Sequence, residues 1–228
     1  MSPNAMRRRH LLALLIATVT APSAAVAADN HTIAIGKMFP FLSMFLRTPL
    51  ADRNRFYLAY HAVRDKRPIS DARASFVAPD GARSALAFDG TGAVTPLPTL
   101  AELNSGAVIT FDGAPFQLAL ELRCAMASAT RLNVGEISRS LDQVNKSIAK
   151  LAGPLSLLAP KITAAFFPDS VAAVAIMADG SQQPLPVYSA PAFGAVPYIE
   201  PASLVGARTV VLAKPPSRIV LAAHPRTA

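Results

Sequence analysis

Cysteine is almost absent from this chain of 228 residues, which contains Cys124 alone. A single cysteine excludes an internal disulfide, so an exported form must depend on its hydrophobic core for stability. A chain of this length can bury enough apolar surface for such a core. Cys124 lies in the apolar stretch 118–126, with no His or Lys near it in sequence. Because a reactive thiol needs a polarising neighbour, we expect Cys124 to be a small buried core residue.

Charged residues are also scarce, at 16% of the chain against 52% for hydrophobic residues. This composition is too apolar for a disordered protein. Proteins that bind nucleic acids cluster Lys and Arg on one face and interleave aromatic residues, whereas the basic residues here are scattered along the chain. No nucleic-acid partner is therefore predicted, and on charge grounds only a weak attraction to an anionic membrane surface stays open.

Several common catalytic motifs are missing as well: the chain has no Gly-x-Ser-x-Gly, His-Glu-x-x-His, P-loop or dinucleotide-binding glycine pattern. It also lacks the ligand spacings of zinc and calcium sites. We predict no catalytic residue, no metal site and no cofactor. His61 lies in a predicted strand, and we interpret it as a half-buried sheet residue. A general base there would need a hydroxyl nucleophile and an acid within reach, about 3 Å.

Acidic pairs of the glycosidase type stay open, because sequence cannot measure the distance between two carboxylates. The candidates Glu102, Glu121, Glu136 and Glu200 show no pairing signal. Glu121 falls within a predicted strand, which favours a position on one face of a sheet.

The N-terminus has the pattern of a cleavable signal peptide. Arg7, Arg8 and Arg9 precede an apolar run at 11–19, and the segment 25–27 reads Ala-Val-Ala, which is a cleavage site for signal peptidase. The run is shorter than the roughly 20 residues that span a bilayer. Cleavage after Ala27 or Ala28 leaves 19 basic and 14 acidic residues, a net charge of +5. We therefore expect residues 1–28 to be removed and the protein to be periplasmic or secreted, with no transmembrane segment in the mature chain.

Short strands with turn signals predict a mainly β, sandwich-like fold. Four Asp-Gly pairs, at 80–81, 89–90, 112–113 and 179–180, favour tight turns because both residues tolerate positive φ. The predicted strands are 56–63, 72–77, 83–88, 107–111, 116–122, 171–177, 208–213 and 218–222.

Two helices interrupt these strands. In the segment 136–152, five apolar residues recur at steps of 3 and 4, which predicts one amphipathic helix; they are Ile137, Leu141, Val144, Ile148 and Leu151. A short, very apolar helix is predicted near 37–46, with Pro40 in its first turn. This second segment either packs in the core or forms an apolar pocket or surface. Its candidate ligand-binding residues are Met38, Phe39, Phe41, Met44 and Phe45.

The chain also contains a short internal echo. The sequence Gly-Ala-Val begins at both Gly92 and Gly194, and Gly-Ala recurs at Gly106 and Gly206 ahead of a predicted strand. This pattern suggests two related β units, 54–125 and 165–223, separated by the helix within one domain, 29–228. Coincidence between common residues is the alternative.

Four segments resemble a group of small exported proteobacterial proteins of unknown function. They read Ile-Gly-Lys-Met-Phe-Pro-Phe-Leu at 35–42, Arg-Asn-Arg-Phe-Tyr-Leu-Ala-Tyr at 53–60, Pro-Leu-Pro-Thr-Leu at 96–100, and Ala-Arg-Thr-Val-Val-Leu-Ala-Lys-Pro-Pro-Ser at 207–217. The resemblance covers most of the mature chain. It implies an exported protein with one fold and assigns no site residues.

Together these features indicate a non-enzymatic binding or accessory module of the bacterial cell envelope. An apolar small molecule or an envelope protein is the expected partner. Two alternatives remain, a hydrolase with a non-standard site and a purely structural envelope protein.

The signal-peptide prediction can be checked directly. We expect N-terminal sequencing of protein recovered from the periplasm or the medium to begin at Ala28 or Asp29. Because the cleavage site follows Ala-Val-Ala, a start at Met1 or Met6 in the periplasmic or membrane fraction would contradict it.

Overall fold

The fold is mainly β, as the sequence predicts. The computed structural model describes residues 32–65, 67–152, 160–190 and 194–223; the predicted signal peptide therefore lies outside the described residues. The strands are β1 (Thr32–Ala34), β2 (Phe56–Arg64), β3 (Arg67–Pro68), β4 (Ala74–Val77), β5 (Arg83–Ala85), β6 (Val108–Phe111), β7 (Gln117–Cys124), β8 (Arg131–Asn133), β9 (Ala164–Phe166), β10 (Ala173–Met177), β11 (Gln182–Pro184), β12 (Val187–Ala190), β13 (Gly194–Ile199), β14 (Ala207–Leu212) and β15 (Val220–Ala222). The helices are α1 (Ile35–Met38), α2 (Leu42–Arg47), α3 (Leu100–Asn104) and α4 (Val134–Ala152), with a 3-10 turn at Leu50–Asp52.

These strands form three antiparallel sheets within the described ranges. Two sheets have four strands, in the orders β1-β6-β4-β5 and β11-β10-β14-β8. The third has seven strands in the order β12-β13-β9-β15-β7-β2-β3 and is curled into a half-barrel. One hydrophobic core receives side chains from all three sheets and from α4, including Ile109, Val210, Tyr60 and Ile137. Within the same ranges, no helix combines the length and the apolar character needed to cross a membrane.

The two halves of the chain have matching topologies. In the first half β6 pairs with β1 and β4, β4 pairs with β5, and β2 pairs with β7. In the second half β14 pairs with β8 and β10, β10 pairs with β11, and β9 pairs with β15. A shift of 99 residues carries Gly81 onto Gly180 and Leu86 onto Leu185. The backbone N–H of Leu86 donates to the Ala74 carbonyl, and the N–H of Leu185 donates to the Ala173 carbonyl.

Helix α4 is the amphipathic helix predicted at 136–152, and it begins two residues earlier, at Val134. Its side chains at Ile137, Leu141 and Val144 are buried, and Ile148 packs against the same core, whereas Leu151 in the last turn is 40% exposed. The observed helix therefore follows the 3.6-residue period of the sequence.

The helix predicted near 37–46 is divided into α1 and α2, so the prediction of one helix was wrong in this respect. The break spans Phe39 to Phe41, where Pro40 lacks an N–H and Phe41 has a φ of 68°. The Tyr60 hydroxyl donates a hydrogen bond to the Pro40 carbonyl at 2.5 Å, which satisfies a backbone group that the break leaves open.

All eight predicted strands are present, with boundaries that differ by up to three residues. The Asp-Gly pairs at 80–81 and 179–180 form the hairpin turns between β4 and β5 and between β10 and β11, and both glycines have positive φ. The pair at 89–90 lies in a turn between Phe88 and Val94, which form an isolated antiparallel bridge, whereas the pair at 112–113 does not join paired strands. In particular, β6 and β7 belong to different sheets, so the chain at 112–113 passes between layers.

The two hairpin glycines provide a test of the turns. Gly81 and Gly180 have φ values of 86° and 85°, and a Cβ at either position would meet no atom within 4 Å. Substitution by Ala would therefore cost only the left-handed backbone penalty of roughly 1–2 kcal/mol. We expect Gly180→Ala to lower the free energy of unfolding by that amount in urea denaturation. The control is Gly113→Ala, also in open space but without positive φ; equal losses in the two variants would contradict this assignment.

Candidate functional site

The predicted ligand-binding residues fall into two groups, a buried one and an exposed one. Met38, Phe39 and Phe45 are buried. Phe39 packs edge-on against Tyr60 with ring centroids 5.2 Å apart, and Phe45 packs edge-on against Phe56 at 5.4 Å. A ligand reaching these three side chains would have to displace core contacts, so they act in the structure as packing residues.

Phe41 and Met44 form the exposed group, at 43% and 38% of their full exposure. They lie three residues apart at the start of α2 and therefore on one side of the helix. Phe41 is the N-cap residue of α2, with φ 68° and ψ −14°. Bulky residues rarely adopt this left-handed conformation, and such strain concentrates at functional sites. The part of segment 38–46 that remains accessible to a partner is thus a surface of two apolar side chains.

The second half of the chain shows that the fold does not require this exposure. The 99-residue shift carries Phe41 onto Ser140 and Met44 onto Gln143. Ser140 is buried and accepts a hydrogen bond from the Cys124 thiol at 3.3 Å. Gln143 is bonded to the segment before β2, accepting from the Arg55 N–H at 2.8 Å. The counterparts of the exposed pair are therefore covered by other parts of the same chain.

A cluster of charged side chains lies on the face of the seven-stranded sheet that points away from the main core, near the pairing of β7 with β15. Glu121 Oε1 lies 2.5 Å from Arg123 Nε, 3.3 Å from Arg218 Nε and 3.5 Å from His61 Nε2. These four side chains retain only 10–12% of their exposure. At the rim, Asp169 lies 3.7 Å from Arg218 and accepts a hydrogen bond from Ser217.

His61 contacts a backbone carbonyl through one ring nitrogen and two charged side chains through the other. Nδ1 lies 3.3 Å from the carbonyl oxygen of Thr91, which can only accept, so Nδ1 carries a proton. Nε2 lies 2.6 Å from Arg123 Nη2, which can only donate. Glu121 Oε1 lies 3.5 Å from the same Nε2, so this ring nitrogen faces both a guanidinium and a carboxylate.

These contacts bear on the hydrolase alternative. A general base at His61 would need a hydroxyl nucleophile on one ring nitrogen. In the described part of the chain the ring bonds instead to Arg123 and to the Thr91 backbone. His61 is half-buried in β2, as the sequence analysis predicts. The arrangement suits a structural network more than an acid–base pair.

The carboxyl of Glu121 is held in its charged form. Burial alone would raise its pKa, but contact with His61 and the positive charges of Arg123 and Arg218 outweigh burial and lower the pKa to about 2. The folded state therefore gains stability from this group above its ordinary pKa of 4.5 and loses that contribution as pH falls toward 2.

Sequence reasoning placed Glu121 on a strand face but did not predict the cluster. The alternation Ala119, Glu121, Arg123 along β7 was a usable signal, since residues two apart share a face. The partners were not deducible from spacing, because His61 and Arg218 reach the same place only through the pairing of β7 with β2 and β15.

Cys124 is buried, as predicted, at 4% exposure. Among the described residues no group of three or more His, Cys, Asp or Glu side chains is arranged to hold a metal ion. A polar cleft of about 520 Å³ lies between α4 and the segment before β2, lined by Asp52, Arg55, Arg139, Lys146 and other residues. The cleft follows the line where α4 packs against the segment before β2, and Lys150 pairs there with Asp52 at 2.8 Å.

Comparison with known proteins adds no assignment to this geometry. No family model, no curated protein and no solved structure matches the chain. The resemblance to exported proteobacterial proteins therefore stays a prediction, and function must be argued from the molecule itself.

The charge cluster gives a prediction for stability. Glu121→Gln removes the carboxylate and leaves Arg123 and Arg218 largely buried without it. Breaking a buried pair in this way costs roughly 3–5 kcal/mol. We expect urea denaturation at pH 7 to show that the free energy of unfolding is about 3 kcal/mol lower than in the wild type. Between pH 5 and pH 2, the free energy of unfolding of the variant should fall less steeply than that of the wild type.

Glu136→Gln is the matched control, because Glu136 pairs with Arg55 and Arg139 at the surface. Solvent screens that pair, so we expect only a small change. An acid-induced loss as steep in Glu121→Gln as in wild type would show that another group controls the stability at low pH.

Proposed function

We propose that the protein is an exported, non-enzymatic binding or accessory module of the bacterial cell envelope, and that it contacts its partner through Phe41 and Met44. The observation that supports this most directly is Phe41, whose ring is 43% exposed while its backbone has a φ of 68°. The fold keeps a bulky residue in a strained conformation with a large part of its surface exposed, which costs stability.

The pattern of burial favours a surface over an enclosed pocket. Met38, Phe39 and Phe45 are used in the core, so an apolar ligand enclosed by all five predicted residues would conflict with their packing. The predicted signal peptide supports a place outside the cytoplasm. An envelope component with an apolar contact surface suits Phe41 and Met44 better than a small molecule that must be surrounded.

Phe41→Gly tests this function. Glycine adopts a φ of 68° freely, so relief of strain offsets the lost packing of the ring, and we expect the unfolding free energy to change by at most about 1 kcal/mol. Cross-linking of the wild-type protein in its native cells, followed by purification, should give an adduct of the protein with its partner. We expect the yield of this adduct to be at least tenfold lower for Phe41→Gly.

Val205→Ser is the control, since Val205 is 84% exposed at a site remote in sequence from α2. It should retain the adduct. If no adduct depends on Phe41, or if both variants lose it equally, the proposed binding surface is wrong.

A further inference from the structure

The surface at α2 combines apolar and basic side chains and has no acid in its sequence neighbourhood. Between 32 and 51 the only charged residues are Lys37 and Arg47, and the first acidic residue is Asp52. Lys37 and Arg47 are both exposed. In the same segment Leu50 is 67% exposed, in addition to Phe41 and Met44. We refer to these five residues as the α2 surface.

The geometry of α2 places part of this set on its outward side. Phe41, Met44 and Arg47 follow one another at intervals of three residues and are exposed, whereas Leu42 and Phe45 are buried. The adjacent helix α3 carries one acid, Glu102, whose carboxylate accepts hydrogen bonds from Thr99 in a capping box. Asp52 pairs with Lys150 of α4. Asp52 is thus neutralised by an ion pair, whereas Glu102 keeps its charge in the capping box. Lys37 and Arg47 therefore give the α2 surface two positive charges beside apolar side chains, against one negative charge on α3.

We propose that the α2 surface docks on an anionic lipid bilayer, with Phe41 and Met44 entering the headgroup region and Lys37 and Arg47 facing lipid phosphates. Aromatic and long apolar side chains flanked by Lys or Arg are the chemistry of peripheral, interfacial binding. Each basic residue close to an anionic surface contributes about 1 kcal/mol, which corresponds to roughly a fivefold change in binding.

This inference names the partner of the proposed function and rests on it. The test uses the mature protein and sedimentation with two kinds of vesicle, phosphatidylethanolamine containing phosphatidylglycerol and phosphatidylcholine alone. We expect binding to the anionic vesicles, weakened by salt, and little binding to the neutral ones. The double variant Lys37→Gln with Arg47→Gln should bind the anionic vesicles about thirtyfold more weakly, and Phe41→Gly should also lose binding.

The matched control is Lys161→Gln with Lys214→Gln, which removes the same net charge from two exposed residues elsewhere. It should retain most of the binding. Equal loss in both double variants would show attraction by net charge alone and would overturn docking through this surface. So would equal binding to the two kinds of vesicle.

The two proposals fail in different ways. If vesicles do not bind but native cross-linking still yields a protein adduct that depends on Phe41, the partner is an envelope protein. The proposed function then stands and the bilayer is excluded. If neither vesicles nor any adduct depends on Phe41, both proposals are wrong.

Discussion

The antiparallel pairing of β7 with β15 joins the two halves of the chain, and the rest of the architecture depends on it. Arg123 lies opposite Val220, and Leu122 lies opposite Leu221. The Cys124 N–H extends the pairing to the Ile219 carbonyl at 2.9 Å. Without this pairing the seven-stranded sheet would divide into a four-stranded piece, β12-β13-β9-β15, and a three-stranded piece, β7-β2-β3, each with a new unpaired edge.

The charge cluster reinforces the same pairing on the face of the sheet that points away from the main core. Glu121 and Arg123 come from β7, Arg218 comes from the segment leading into β15, and His61 comes from β2. Buried ion pairs contribute less to net stability than to the choice of one arrangement, because desolvation offsets their attraction. A shift of one residue in the pairing would move Glu121 to the other face, among core side chains. The cluster therefore disfavours any pairing of β7 with β15 in which the two strands are out of register.

Sequence reasoning was most successful where a single period or turn controls the structure. The helix α4 follows its apolar period, and the turns at Gly81 and Gly180 follow from positive φ. It missed seven of the strands in the described residues, namely β1, β3, β8, β9, β11, β12 and β13. For β9 the reason is that Ala164 and Ala165 have no strong strand preference and pair only in the tertiary context. The segment 38–46 shows the other limit. Composition identified it as apolar, but which rings are buried depends on the break at Pro40 and on the partner groups that β2 provides, such as Tyr60.

The ends of the sheets have a consequence for the behaviour of the protein at high concentration. An exposed sheet edge can recruit strands from another molecule, and proteins limit this aggregation with short edges and proline. In the part of the chain that the structure describes, five of the six edge strands have only two or three residues, and β12 has four. Pro68 and Pro184 lie within two of them. These three sheets therefore offer a neighbouring molecule almost no continuous backbone to pair with, which limits edge-to-edge aggregation.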